Sequence, residues 1–297
     1  MIQIKDIVKK FDDFTALDGV NINVEKGSVY GLVGPNGAGK TTIIKIMTGI
    51  YRPNSGSVYI DGEPVYENQE IKSRMIYISD DLYFFPGYSI KDMASYYKGI
   101  YPNWSDERFN AMAEIFKIDI KRSVRRLSKG MQKQVAFWLG LSANPDIMIL
   151  DEPVDGLDPV MRRSTMKLVL SEVESRDMTV LISSHNLREL EDVCDYVGIM
   201  HQGKIVIEKA LDDIKGNIHK IQVAFKNGLP EDLNQKLDVL KCDSFGSVYN
   251  IIVKGENARE IIEAYEPLIC DIIPLSLEEV FIYELGGMGY EFESIII

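Results

Sequence analysis

The feature that most constrains this chain is the glycine-rich stretch Gly34-Pro35-Asn36-Gly37-Ala38-Gly39-Lys40-Thr41-Thr42. A short apolar run, Val29 to Val33, precedes it, and apolar residues at spacings of three and four follow it. This context predicts a strand, a loop and a helix in succession. In such a loop backbone N–H groups turn inward around phosphate oxygens, and the helix N-terminus adds partial positive charge. We therefore expect a site for a nucleoside triphosphate with Mg²⁺.

Two side chains of this stretch have separate predicted roles. Lys40 is expected to reach the β- and γ-phosphates, and the Thr41 hydroxyl is placed to bind Mg²⁺. A turn that binds nothing is the alternative, but every position that the phosphate-loop pattern requires is filled. The other residues of the stretch that we expect to contact the nucleotide are Gly34, Asn36, Gly37, Gly39 and Thr42.

Length, hydropathy and charge limit the class of protein. The 297 residues are more naturally two domains than one. No uninterrupted apolar run approaches the ~18 residues that span a bilayer, and Met1 to Asp6 has neither a basic region nor an apolar signal core. We therefore expect a cytoplasmic protein that reaches a membrane only through a partner chain. The net charge of −12 argues against a nucleic-acid partner, because such binders usually present a dense basic face.

Aromatic residues occur in two settings. Phe11 lies at the edge of a predicted antiparallel pair of strands in residues 1–28, where it either stacks on an adenine ring or belongs to the core. From Asp81 to about Gly140 the spacing becomes helical and rich in aromatic rings. We expect an inserted helical subdomain there, with most rings in its core and a minority exposed as a protein contact.

Two carboxylates follow the apolar run Ile147 to Leu150. Four apolar residues in a row suit a strand buried on both faces of a parallel sheet, with Asp151 and Glu152 at its carboxyl end. There Asp151 is expected to hold Mg²⁺, and Glu152 to accept a proton from the attacking water. His185 follows the next buried strand, Thr179 to Ser183, where we expect it to donate to the γ-phosphate.

Together these motifs resemble the ATP-binding cassette, the ATPase subunit of ABC transporters. Gly34 to Thr42 matches the Walker A loop, Ile147 to Glu152 the Walker B strand, Asp155 to Asp158 the D-loop, His185 the switch histidine and Leu127 to Met131 the signature. The resemblance covers residues 1 to about 212. It implies a P-loop NTPase fold of the ABC type: an α/β domain with a mixed sheet, an antiparallel β subdomain and a helical subdomain at about 81–140.

The resemblance also implies partners and cofactors. In this family two cassettes pair head to tail, with each ATP between one Walker loop and the opposing signature. Ser128, Gly130 and Asp158 are thus expected to contact ATP held by a second cassette, identical or paralogous. This chain has one phosphate loop and one signature, so it needs such a second cassette. The family further implies integral membrane subunits, which form the transport pathway, and ATP with Mg²⁺.

Four positions in three motifs depart from the family pattern. The signature is usually Leu-Ser-Gly-Gly-Gln, so Lys129 and Met131 are substitutions, whereas Ser128 and Gly130 remain. Asp80 stands where the family usually has glutamine, and its carboxylate is a candidate Mg²⁺ ligand, directly or through water. The aromatic residue that stacks on adenine is usually tyrosine in this family. Here it would be Phe11, whose ring can still stack on the base.

Residues 216–297 fall outside the cassette of residues 1–215. Their pattern predicts β-α-β-β-α-β, a small ferredoxin-like α+β domain, with a first helix from Pro230 to Leu240 and a closing helix around Leu277 to Leu285. This arrangement resembles the carboxyl extension of ABC ATPases from bacterial drug and peptide exporters. We expect either a stabilising appendage or a dimerising or regulatory domain.

Two functions remain in competition. The leading hypothesis is the ATPase subunit of an exporter of drugs, peptides or lipids, peripheral at the inner face of the cell membrane through separate membrane subunits. The alternative is a soluble ABC ATPase, such as a cluster-assembly ATPase. Translation-type members carry two cassettes in one chain and DNA-maintenance types carry long coiled coils, and this sequence has neither.

Overall fold

The computed structural model describes residues 1–211, 218–226, 228–230, 232–255, 257–276, 278–280 and 283. Contacts divide the chain into two compact units. The first comprises residues 1–186 and 193–208, and the second comprises residues 187–192 and 209–297. None of the helices in the described ranges combines the length and the apolar character that a membrane span requires.

The first unit contains both strands and helices. Up to residue 210 the elements are β1 (Ile2–Phe11), β2 (Phe14–Val24), β3 (Val29–Val33), α1 (Lys40–Met47), β4 (Ser55–Ile60), β5 (Glu63–Pro64), α2 (Gln69–Ser73), β6 (Met75–Ile78), α3 (Ile90–Ile100), α4 (Asp106–Phe116), α5 (Lys129–Ser142), β7 (Ile147–Asp151), α6 (Pro159–Arg176), β8 (Thr179–Ser184), β9 (Tyr196–His201) and β10 (Lys204–Ala210). The predicted strand, loop and helix around the glycine-rich stretch are thus confirmed as β3 and α1.

An antiparallel sheet opens the chain, with strand order β2-β1-β4-β5. Ile2 and Ile4 point to the core because side chains alternate along a strand. The next buried residue, Ile7, breaks the two-residue period. A register shift between Ile4 and Ile7, with Asp6 at a φ of 49°, accommodates the extra residue and returns Ile7 to the buried face.

The second sheet positions the site. Its strand order is β10-β9-β3-β8-β7-β6, and β6, β7, β8, β3 and β9 pair in parallel. Every residue of β3, β7 and β8 is buried, which explains their continuous apolar runs. The carboxyl ends of parallel strands share one edge of the sheet. The phosphate loop, Glu152 and His185 therefore emerge at the same edge.

Helices α3 to α5 form the inserted helical region that the sequence predicts. Trp138 of α5 is completely buried and stacks on Phe109 and Phe116, with ring centroids 4.9 and 6.1 Å away. Tyr83 and Tyr96, by contrast, are exposed. Of the twelve aromatic rings in residues 81–140, five are buried, four are half-buried and three are exposed. The exposed minority follows the expectation from the sequence, but fewer of the rings are fully buried than it predicted.

The second unit contains β11 (Ile218–Ala224), α7 (Leu233–Lys236), β12 (Asp238–Phe245), β13 (Val248–Lys254), α8 (Ala258–Glu263) and β14 (Ile269–Ile273). These elements follow the β-α-β-β-α-β order that the sequence predicts. They form an antiparallel sheet with strand order β12-β13-β11-β14. Its buried side chains, among them Ile221, Val253 and Ile262, form a core of its own.

One helix prediction in this unit is wrong. The expected helix from Pro230 to Leu240 is only the short α7, and Asp238 already begins a strand. The segment forms a strand because it pairs with β13, where Asp238 and Val239 lie opposite Lys254 and Val253. The local helical spacing could not reveal that long-range pairing. The predicted closing helix around Leu277 to Leu285 lies largely outside the described residues.

Candidate active site

The phosphate loop connects the end of β3 to the first turn of α1. Gly34 is required by close packing, because a Cβ there would lie 2.2 Å from the carbonyl oxygen of Met200. Gly39 is required by its backbone, which has a φ of 110° directly before α1. Gly37 has a φ of 81°, and no other side chain or backbone atom lies within 4 Å of its Cβ position. Other segments of the chain therefore pack closely against Gly34 and Gly39 at the two ends of the loop, whereas free space lies beside Gly37 in its middle.

Most of the predicted nucleotide-binding residues line one cavity of about 440 Å³ at this loop. Its lining consists of Phe11, Phe14, Ala16, Pro35, Asn36, Gly37, Gly39, Lys40, Thr41, Thr42, Asp80 and Glu152. These residues come from four separate segments of the chain. The structure thus places two of the three predicted metal ligands, Thr41 and Asp80, on the same cavity as the predicted base Glu152.

Lys40, Glu152 and His185 form a connected set of charged and titratable groups. The ammonium of Lys40 is buried, donates to the carbonyl oxygen of Gly34 at 2.6 Å and lies 3.3 Å from Glu152 Oε1. His185 Nδ1 lies 2.9 Å from Glu152 Oε2, and the backbone N–H of His185 donates to the same oxygen at 3.3 Å. The carboxylate of Glu152 therefore lies between the phosphate-loop lysine and the histidine.

Asp151 lies beneath this set, almost completely buried at the end of β7. Ser183 donates to its Oδ1 at 2.6 Å and also accepts from the backbone N–H of Glu152 at 3.1 Å. Tyr77 contacts its other oxygen at 3.5 Å. Burial, followed by the nearby Asp151 carboxylate, raises the pKa of Tyr77 well above its usual value, so Tyr77 remains a proton donor to Asp151.

The residues present suit Mg-ATP. Thr41, Asp80 and Asp151 offer hydroxyl and carboxylate oxygens, which are the ligands that Mg²⁺ prefers. Gly37 leaves room at the loop for a close approach of phosphate oxygens, and α1 begins at the same point. Lys40 provides a fixed positive charge next to that space.

Comparisons with known proteins agree with this geometry. A family model described as ABC transporter matches residues 17–155. The ABC transporter ATP-binding protein YtrB of Bacillus subtilis (strain 168) is 30% identical over 289 residues, covering 97% of this chain and 99% of that protein. The bacitracin transport ATP-binding protein BcrA of Bacillus licheniformis is 30% identical over 305 residues, covering 97% and 98%. This chain belongs to the ABC transporter family.

It is an ATP-binding subunit with ATPase activity, and its first unit has the predicted P-loop ABC fold. A solved structure with the same fold is the ATP-binding cassette MJ0796, described as a dimer in a post-hydrolysis state bound to ADP and Pi. It superposes with a TM-score of 0.65 at 23% identity, over 71% of this chain and 99% of that chain. At 23% sequence identity, this similarity shows only that the two chains share a fold.

The expected adenine platform of the cassette contains a second ring that the motifs did not indicate. Phe11 and Phe14 lie opposite each other across the turn between β1 and β2, and both line the cavity. Phe11 is 40% exposed and packs edge-on against Tyr51 at 5.7 Å, while Phe14 is 66% exposed. The only sequence signal for Phe14 is its position directly after Asp12-Asp13, the turn that follows Phe11.

The signature residues Ser128 and Gly130 and the D-loop residue Asp158 do not line this cavity. Ser128 caps α5 by accepting from the backbone N–H of Met131 at 3.3 Å, and Asp158 caps α6 by accepting from those of Val160 and Met161. Gly130 allows α5 to approach the D-loop, since a Cβ there would lie 2.8 Å from the carbonyl oxygen of Gly156. Within one chain, Ser128 and Asp158 therefore cap helices and Gly130 permits close packing, and none of the three lines the cavity at the phosphate loop.

Proposed function

We propose that this chain is the ATP-hydrolysing subunit of an exporter of peptides or drugs. The contacts that join Lys40, Glu152 and His185 at the phosphate loop carry the catalytic part of the proposal. The transport part rests on similarity along nearly the whole chain, because BcrA is named for bacitracin transport. The soluble alternative, a cluster-assembly ATPase, has no comparable support. Through membrane subunits, the chain would act at the inner face of the cell membrane.

Each side chain of the site has a defined task in this proposal. Glu152 accepts a proton from the attacking water, and His185 donates to the terminal phosphate. Lys40 places positive charge at the β- and γ-phosphate oxygens, where negative charge develops during phosphoryl transfer. Thr41 and Asp151, with Asp80 as a further ligand, would hold Mg²⁺, which would supply charge neutralisation.

Replacing Lys40 with alanine should weaken the affinity for Mg-ATP about ten- to hundredfold and abolish most hydrolysis. The reason is that the buried ammonium of Lys40 is held at the loop by the carbonyl oxygen of Gly34, and alanine removes this positive charge. A fluorescent ATP analogue and an ATPase assay measure the two effects. Lys45→Ala, on the same helix but packed over the Tyr51 ring, is the matched control. Equal affinities of the Lys40 variant and the wild type would contradict the assignment.

The exposed aromatic rings of the helical region supply a docking surface for the membrane subunits in this proposal. Tyr83, Phe85, Tyr88 and Tyr96, here called the aromatic patch, contact one another through Phe85, with ring centroids 5.0 to 6.0 Å apart. Tyr83 is 74% exposed. Exposed clusters of aromatic rings usually mark a protein contact, and aromatic residues are enriched in the cores of protein interfaces.

Co-purification with any membrane protein encoded beside this chain tests the transport proposal. We expect a complex in detergent whose ATPase activity differs from that of the isolated chain. Tyr83→Ala combined with Tyr96→Ala should reduce co-purification at least about tenfold, because a few buried aromatic residues dominate most interfaces. The basal ATPase activity of the isolated variant should match the wild type, since both rings lie outside the cavity. Recovery of only a soluble scaffold-protein complex would favour the cluster-assembly alternative.

A further inference from the structure

Lys133 of α5 is a buried cation with no role in the mechanism described so far. Only 4% of the residue is exposed. Its ammonium donates to the carbonyl oxygens of Glu152 at 2.6 Å and Asp155 at 3.0 Å, and it lies 3.4 Å from Asp80 Oδ1. The three donors of the ammonium thus have three oxygen partners.

Two of these partners belong to the turn that carries the proposed general base. Glu152 has a φ of 46°, a left-handed conformation that is unfavourable for a residue other than glycine and must be maintained by its surroundings. Ser183 accepts from its backbone N–H, and Lys133 donates to its carbonyl oxygen. Both peptide groups flanking the Glu152 Cα are therefore fixed by side chains from other elements.

The third partner, Asp80, contributes less to this arrangement. Its side chain is 56% exposed, so water screens its attraction to the ammonium. The carbonyl contacts are shorter and join α5 directly to the turn after β7. We propose that Lys133 is a positioning residue for ATP hydrolysis, which holds the Glu152 backbone so that its carboxylate faces the phosphate loop. This inference rests on the proposed role of Glu152 as the base.

Lys133→Met tests the proposal, since it keeps an unbranched apolar side chain and removes the donors. We expect kcat to fall about ten- to hundredfold, the loss that a displaced catalytic group causes, while the KM for Mg-ATP changes less than about threefold. Lys167→Met, an exposed lysine on α6, is the control for loss of one positive charge. Lys133→Arg, which keeps a cation with several N–H donors, should recover part of kcat.

A double-mutant cycle with Glu152→Gln separates positioning from a general structural effect. If Lys133 acts through Glu152, adding Lys133→Met to Glu152→Gln should cause little further loss in single-turnover hydrolysis. Equal losses in both backgrounds, or a Lys133→Met enzyme with the wild-type kcat, would overturn the inference. Failure of the proposed function would be seen differently, as a wild-type chain that binds Mg-ATP without hydrolysing it.

Discussion

Replacing Glu152 with glutamine should lower the rate of ATP hydrolysis about a hundredfold or more, while ATP binding persists. Glutamine keeps the size and hydrogen-bonding capacity of the side chain, but it cannot accept a proton from water. The contacts of Glu152 with Lys40 and His185 place its carboxylate at the phosphate loop, where an attacking water must lose that proton. Single-turnover hydrolysis and equilibrium binding of Mg-ATP measure the two quantities separately.

Glu174→Gln is the matched control for this substitution. Glu174 is exposed on α6, so its replacement removes the same charge without touching the site. We expect its turnover to equal that of the wild type. A Glu152→Gln enzyme with near-normal turnover would show that another group, or water alone, accepts the proton, and the assignment of the base would then be wrong.

The cassette fold was predictable because its signals are local. The glycine-rich stretch sits between an apolar run and a helical repeat, and Ile147 to Leu150 is apolar without interruption. Each pattern lies in one continuous segment of the sequence, so neither depends on knowing the tertiary contacts. The placement of Asp151, Glu152 and His185 followed from the same logic, because Asp151 ends β7 and Glu152 and His185 directly follow β7 and β8, two buried strands of one parallel sheet.

The supporting residues could not be predicted, because their partners are distant in sequence. Lys133 reaches Glu152 and Asp155, in the turn after β7, from helix α5, and in the sequence it resembles any polar residue of a helical repeat. In the sequence Ser183 is only the end of a predicted apolar strand. In the structure its hydroxyl donates to the carboxylate of Asp151 and accepts from the backbone N–H of Glu152. Such contacts are decided by how strands and helices pack, which single-sequence patterns do not contain.

The geometry of the signature motif leads to the second large effect. Ser128 and Lys129 are exposed at the start of α5, where helix N–H groups have no partners within the helix. These donors lie outside the cavity that holds the phosphate loop, so within one chain they do not reach a phosphate bound there. A second copy arranged head to tail would present Ser128 and the N–H groups of Lys129 and Gly130 to that phosphate.

We therefore expect ATP that is bound without hydrolysis to convert the chain from monomer to dimer. Glu152→Gln should trap this dimer with Mg-ATP, and adding Ser128→Arg should prevent it by placing bulk where a phosphate must lie. Ser171→Arg, on the exposed face of α6, is the control for bulk and charge. Sedimentation of each variant with and without ATP measures the mass directly. An unchanged mass of the Glu152→Gln protein on adding ATP, or dimerisation that Ser128→Arg does not impair, would contradict the head-to-tail arrangement for the isolated subunit.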